Sequence, residues 1–387
     1  MNSKNNKWDR KEATISIVVV LIVLLVSSSL LNWEGITGAV VNLKGDLLPQ
    51  ANCGGGTACA CGDTLTSSYN LNESLNCTVY GLTIGASNLT LDCQGNLINY
   101  NGTVLFSTNG VQIISSYANV TIKNCQIRSF RSEGIAISGG VTNISIQNNT
   151  LFGNYNGITV DDLNHSYIIN NTIESSSDVG IYLSGSGALN TTIKNNVILN
   201  QSTGIYLDNS NDGNNISNNI IYSTSSGIVL SETSNNDVTN NTIYNATGVG
   251  INLDQVVSAT GNQITKNTVY NNFVPAITIG DSAYNSISNN QIYNNLRGIV
   301  VQSTNTNYTF NNLSNNTQEG ILVYTSGNTI SNNNFTSNKN GLVFYDGDSN
   351  NLTGNRFNQN TDHGLYFYLL ADNNYIFNNS FINNNIS

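Results

Sequence analysis

Gly204 to Ser223 reads GIYLDNSNDGNNISNNIIYS, and a variant of the same phrase, GIVLSETSNNDVTNNTIYNA, begins at Gly227. Each copy opens with glycine and two apolar residues around a variable one, passes through a polar turn, and ends with apolar residues flanking an asparagine pair. The opening recurs at Gly110, Gly134, Gly157, Gly180, Gly204, Gly227, Gly250, Ala276, Gly298, Gly320, Gly341 and Gly364, in steps of 21 to 26 residues. Apolar residues at alternate positions mark short strands, and the runs are too short for a buried amphipathic helix. A unit therefore holds roughly three short strands and three turns. Leucine-rich repeats share this length but need a leucine framework that is absent here. Propeller blades need about 40 residues, and helix-turn-helix units of about 34 need helix formers that this chain lacks. A three-stranded coil fits a parallel β-helix.

Composition agrees with that choice. Charged residues make up 9% of the 387, Pro occurs twice, and Asn, Ser, Thr, Gly, Ile and Tyr dominate, which favours strands and turns over helices or solvated disorder. Thirteen Lys and Arg stand against 23 Asp and Glu, and Lys4, Lys7, Arg10 and Lys11 crowd the first eleven positions. The acidic remainder is unsuited to neutralising phosphates, so no nucleic-acid partner is expected. Two His and one Met leave little for a transition-metal site, and no cofactor is expected.

Stacking coils at about 4.8 Å turns the recurring asparagines into columns. The second Asn of each pair falls on one line: Asn149, Asn171, Asn196, Asn219, Asn241, Asn267 and Asn290, continuing through Asn311, Asn333, Asn355 and Asn379. Each amide can donate to the carbonyl of the next, so the column is expected to be a structural ladder. Cys125 occupies the same line one coil earlier and Cys93 one coil before that, so those two are positioned for a bridge.

The N-terminus carries an address. Ala13 to Leu31 has no charge over 19 residues and follows a basic stretch, which reads as a signal-anchor or as a cleavable signal peptide. In both cases the long C-terminal part lies outside the cell. Cys53, Cys59, Cys61, Cys77, Cys93 and Cys125 are an even count in an exported region, and read as disulfides whose pairing the sequence leaves open. The organisation expected is 1–12 as a cytoplasmic basic n-region, 13–31 as one hydrophobic helix, 32–50 as a linker, 51–81 as a cysteine-rich N-terminal cap and 82–387 as repeats.

From about Leu82 onward the repeats resemble the right-handed parallel β-helix proteins, the group that contains pectin-lyase-like folds and NosD-type repeats. The stretch CGDTLTSSYNLNESLNC followed by LTLDCQGNLI looks like the opening of archaeal β-helix surface proteins. The fold class implied is all-β: a right-handed parallel β-helix of about 12–14 coils, preceded by one N-terminal hydrophobic helix. The NosD association with copper is not carried over, because the two His are distant and the one Met is the first residue.

Outward columns are the places for function. After each glycine-led strand the line runs Ser138, Asp161, Ser184, Asp208, Ser231 and Asp254, so an acid recurs on alternate coils. Successive acids about 9–10 Å apart lie at the outer edge of the separation used by inverting glycosidases. Asp161, Asp208 and Asp254 are thus the acids to test for catalysis, against the plainer reading that Asp and Ser favour the turn after a strand. Asp161-Asp162 resembles the adjacent aspartates of polygalacturonase-like enzymes, whose Gly-His-Gly and Arg-x-Lys elements are missing. His165 lies in the following loop, and Arg128, Arg131, Arg297 and Arg356 are scattered.

A second outward line carries Tyr222, Tyr244, Tyr270 and Tyr293, with Phe152 nearer the N-terminus. Tyr182 and Tyr206 stack on an adjacent face, and Tyr324, Tyr345 and Tyr368 make a third short ladder. Exposed rings serve glycan or protein contacts, while like residues also stack on a β surface for structural reasons alone. Asn-x-Ser/Thr occurs about twenty times, for instance at Asn72, Asn88 and Asn119, and in an exported chain marks candidate glycosylation sites. The function expected is an extracellular structural or adhesive surface protein, tethered or secreted, that contacts a polysaccharide or a surface protein. A carbohydrate-active enzyme of pectin-lyase-like fold is the alternative.

Overall fold

The computed structural model describes residues 51–386 apart from 104–106, 186, 255–258 and 370. One coil gives the pattern. Thr203–Leu207 joins a first sheet, Asn215–Ser217 a second and Ile220–Tyr222 a third, and Ser226–Leu230 returns to the first. Every pairing between successive coils is parallel and in register, so that Ile205 lies beside Ile228, Ile216 beside Val238 and Ile221 beside Ile243. The three sheets have 15, 15 and 14 strands, wound as a right-handed solenoid. Inward Ile205, Leu207, Ile216 and Ile221 are fully buried. Repeating these four aliphatic positions along the rod makes one continuous core.

Glycine leads the first-sheet strands of the repeats, with Ala276 the exception, because there is little room for a Cβ. A methyl group on Gly204 would lie 2.6 Å from the Gly227 carbonyl oxygen and 2.6 Å from Ile221 Cγ2. Hydrogen at that point lets the coil close tightly around its core, and Ala276 is the one member of the column that accommodates a methyl group, fully buried.

The asparagine pairs divide two tasks. Asn218 turns the corner in the left-handed conformation (φ 56°), which Asn tolerates better than most residues, and Asn219 points inward. The Asn219 Oδ1 accepts from the Asn196 backbone N–H and from Asn196 Nδ2, while its own Nδ2 donates to Ile193 O and to Asn241 Oδ1. The same connections run from Asn149 to Asn379. Cys125 stands at the head of this line, its N–H donating to Asn149 Oδ1.

Two further corners use the same device. Between the first and second sheets the inward positions include Asn214, Asn236, Asn262 and Asn285, and then Thr306, Asn328 and Asn350. Between the third sheet and the next coil they run Asn272, Asn295, Asn316, Asn338 and Asn360. This last ladder is interrupted nearer the N-terminus, where Ser176, Gln201, Thr224 and Ala246 take the inward position. There the Ser176 Oγ, Gln201 Oε1 and Thr224 Oγ1 are buried without a hydrogen-bond partner.

The six cysteines pair Cys53–Cys59, Cys61–Cys77 and Cys93–Cys125. The last joins neighbouring coils directly. Residues of the cysteine-rich stretch themselves enter the sheets, Thr64–Leu65 in the first, Tyr69–Asn70 in the second and Leu75–Cys77 in the third.

One expectation is corrected. The described residues form strands, turns and bends with no helix, so the fold they show is an all-β solenoid, and the expected leading hydrophobic helix is not shown. Period-2 patterning and left-handed corners leave no segment of the described chain free to wind into one. Ala13–Leu31, on which that helix was expected, lies outside the described residues. Among the described residues no helix is long and apolar enough to cross a membrane.

Candidate functional site

Because strands are flat and alternate their side chains, each sheet displays outward columns along the rod. On the third sheet one column runs Arg128, Phe152, Glu174, Leu199, Tyr222, Tyr244, Tyr270 and Tyr293. The four tyrosine rings are stacked with successive centroids 5.0 Å apart and planes 5–11° from parallel. All four are half-buried. Tyr244 and Tyr270 each have a neighbouring ring on both sides, so their π faces are largely covered and the ladder presents ring edges and hydroxyls to solvent. Burial, followed by the neighbouring phenols, raises the pKa of Tyr244 above its ordinary value; for Tyr270 burial and then Tyr293 do the same. Beside this column stand Ile220, Thr242, Thr268 and Gln291. Toward the N-terminus the Arg128 guanidinium lies 4.9 Å from the Phe152 ring centroid.

The first sheet carries the acids. Tyr182 and Tyr206 are neighbours in register, 5.2 Å apart and 7° from parallel. The Tyr182 hydroxyl donates to Asp208 Oδ2 at 2.7 Å, a contact between two residues singled out separately in the sequence. Burial first, and then this bond and the Asp208 charge, hold the Tyr182 phenol far above its ordinary pKa. Asp161 lies on the same column beside Ser184. Its carboxyl is shifted upward by burial and then by the charges of Asp162 and Asp208. Gly185 makes space for it: a Cβ there would fall 1.9 Å from Asp161 Oδ1, on a residue already at φ +79°. That support was not legible in the pattern GSG.

Burial, against a lowering bond with Ser231, and then the charges of Asp208, Asp254 and Glu232 raise the Tyr206 pKa, so Asp254 borders this group, and the other candidates are placed apart. The Asp254 N–H donates to Leu230 O one coil beyond the Tyr206 row. His165 turns the corner ahead of inward Ser166 (φ 50°). Arg297 is paired with Glu319 at 2.6 Å, Arg131 lies against the Tyr100 ring, and Arg128 and Arg356 are on the third sheet. The structure therefore brings Asp161, Tyr182, Tyr206 and Asp208 together, without an arginine from this group of four. Tyr345 and Tyr368 stack at 4.9 Å, while Tyr324 is tilted 44° to Tyr345.

The chain matches the family described as "Right handed beta helix region" over residues 156–314, and that described as "Periplasmic copper-binding protein (NosD)" over 255–387. No curated protein matches it. A mutant of the periplasmic alginate epimerase AlgG superposes with a TM-score of 0.55 at 17% identity, covering 79% of this chain and 78% of that one. The tailspike protein of E. coli bacteriophage HK620, in complex with a hexasaccharide, gives a TM-score of 0.56 at 11% identity, covering 87% of this chain and 74% of that one. At these identities the likeness shows the fold.

The copper of the second family description does not fit the residues present. Residues 255–387 contain His363 as their one His, with no Cys and no Met. Its Nδ1 lies 3.1 Å from Asn340 Oδ1 and 3.3 Å from Asp362 Oδ1, a set without a soft donor. Among the described residues no three His, Cys, Asp or Glu converge as metal ligands.

Proposed function

Because this chain is a right-handed parallel β-helix repeat protein of the pectin-lyase-like kind, we propose that it is an extracytoplasmic structural or adhesive rod whose outer columns contact extended polysaccharide. The observation that carries this reading is the unbroken ladder Tyr222–Tyr244–Tyr270–Tyr293 on a flat sheet. With the interior ring faces covered and Leu199 and Ser314 in register beside the terminal rings, a sugar chain meets ring edges and hydroxyls. Each contact is weak. A polymer lying along four coils makes them together, and avidity rather than a deep pocket supplies affinity. Three disulfides in the first coils suit folding in an oxidising compartment outside the cytoplasm. The alginate epimerase and the hexasaccharide-bound tailspike lend the reading support as carbohydrate-handling users of the same fold. Asn-x-Ser/Thr triplets at exposed Asn72, Asn88 and Asn119 are candidate sites for attached glycans.

A glycan array with the purified protein tests the proposal, together with reducing-end and unsaturated-product assays on any glycan bound. Binding without turnover, lost when Tyr244→Ala and Tyr270→Ala are combined, is the expected result. No binding to any glycan or cell-wall extract refutes it. A second reading rests on the Tyr182–Asp208 hydrogen bond and the upward-shifted Asp161: acid–base chemistry on a polysaccharide at the first sheet. Turnover lost in Asp208→Asn would establish that reading in place of the first.

A further inference from the structure

We propose that the four-tyrosine ladder of the third sheet is an oxidative cross-linking site, at which a one-electron oxidant joins neighbouring coils through dityrosine bonds. The proposal does not depend on glycan binding.

Parallel coils in strict register fix each phenol against the next. Tyr222, Tyr244, Tyr270 and Tyr293 are paired position for position, and their near-parallel rings at 5.0 Å bring the ortho carbons of neighbours to about the ring separation. Holding two phenols as neighbours on one rod makes coupling intramolecular, with side-chain rotation needed to close the ortho carbons from about 5 Å to the roughly 3–3.5 Å of a reactive approach. The four tyrosines are half-buried, so each leaves part of its surface open to an oxidant. Tyr308, by contrast, is fully buried and bonded to Ser303. Solitary Tyr155 and Tyr284 are more exposed but have no ring partner in register.

The chain already uses this geometry once. Cys93 and Cys125 sit on adjacent coils and are joined by a disulfide. The tyrosine column would extend stapling between coils from the first coils to the middle of the rod, by carbon–carbon bonds that thiols cannot reverse.

The chemistry balances. Each of two phenols gives one electron to the oxidant and its hydroxyl proton to solvent. The two phenoxyl radicals join through their ortho carbons, and the ring hydrogens at those carbons return to the oxygens as the rings regain aromaticity. The pair loses two electrons and two protons for one new C–C bond. Hydrogen peroxide acting through a haem peroxidase accepts both electrons and, with two protons, leaves as water.

The test treats the purified full chain, dilute enough to suppress contact between molecules, with a haem peroxidase and hydrogen peroxide. Peptide mapping by mass spectrometry then seeks linked pairs lighter by two hydrogens. The expected links are Tyr222–Tyr244, Tyr244–Tyr270 and Tyr270–Tyr293. In the double variant Tyr222→Phe with Tyr270→Phe four rings can still stack but no two adjacent phenols remain, so all three links should be lost. Unchanged strand content by circular dichroism verifies that this variant is folded. The proposal is overturned if the wild-type chain forms none of the three links, if links between molecules through Tyr155 or Tyr284 dominate, or if Tyr244 or Tyr293 still couples in the folded double variant.

Discussion

Replacing Asn241 with alanine is the sharpest test of what holds the coils together. Its Oδ1 accepts from the Asn219 backbone N–H and Asn219 Nδ2, each at 2.9 Å, and its Nδ2 donates to Ile216 O at 2.8 Å and Asn267 Oδ1 at 3.1 Å. Asn219 Nδ2 keeps Ile193 O and Asn267 Oδ1 keeps the Asn241 backbone N–H, so those two groups stay partnered. The Asn219 N–H loses its amide partner inside the rod, whereas the Ile216 carbonyl loses the Asn241 amide but stays in the parallel ladder with the next coil. At about 1–3 kcal/mol for a buried group left unpaired, the cost is about 1–3 kcal/mol. Entry of a water would bring it toward the lower end. The control is Asn240→Gly, which retains the left-handed corner at φ 57° and removes only an exposed contact with Asn218. It should change stability by no more than about 0.5 kcal/mol. Because solenoids unfold as coupled neighbours rather than as one unit, melting should be read together with native-state hydrogen exchange. Protection should fall first at the Asn219 N–H and in the strand around Ile216. Equal melting of Asn241→Ala and Asn240→Gly, with unchanged exchange, would refute the ladder as a source of stability.

The interrupted corner yields the opposite expectation: Thr224→Asn supplies an acceptor for the Gln201 backbone N–H and should stabilise by about 0.5–1.5 kcal/mol in denaturant melts. Asp161 tests the charge cluster. Its pKa is raised in the folded chain, so the native state binds more protons there, and its contribution to stability falls as pH rises through the range from its unfolded value to its higher folded one. Asp161→Asn should therefore stabilise at neutral pH and flatten that part of the pH–stability curve. Asp92 has the reverse sign: burial raises its pKa, but bonds from Asn124, the Gln94 N–H and Lys123 outweigh this and lower it overall. Asp92→Asn should lose stability that the wild type has above the unfolded pKa, and the two proteins should converge on acidification. Opening Cys93–Cys125 by paired alanines closes no 32-residue loop in the unfolded chain and should cost about 3–4 kcal/mol on the chain-entropy model. A thermal melt in reductant provides the comparison.

Much of this fold was legible in Gly204 to Ser223 because a solenoid writes the same local problem once per coil. Glycine at 204, apolar residues at 205, 207, 216 and 221, and Asn219 each recur with the coil period, so the repeat exposes their geometry. Two of the three corner ladders were not legible. Their inward positions mix Asn with Thr, Ser, Gln and Ala, and the first-to-second corner follows turns of varying length, which blurs the spacing. What marks them in the structure is a left-handed residue immediately before a buried polar one, as at Gly213-Asn214 and Ser337-Asn338. The candidate site was legible only as columns. That Tyr182 reaches forward to Asp208, rather than Asp161 pairing with Asp208, depends on side-chain length and direction along the rod, which period alone does not encode.

Register also explains why function, if it lies on these faces, is spread out rather than concentrated. A coil offers only a few outward side chains on each sheet, and the next coil repeats them one strand spacing away, about 4.8 Å along the axis. Such a surface is matched to a ligand that is itself periodic and extended. It is poorly suited to enclosing a small molecule, since the walls of a pocket require loops that leave the coil. One departure from uniform columns is at Asp161, where Gly185 yields space for the carboxylate and a tyrosine of the same face is tied to Asp208. There the repeat is locally broken in favour of side chains that depend on one another. If chemistry occurs on this rod, that break in periodicity is where it should be sought, and the uniform tyrosine ladder is where binding should be sought.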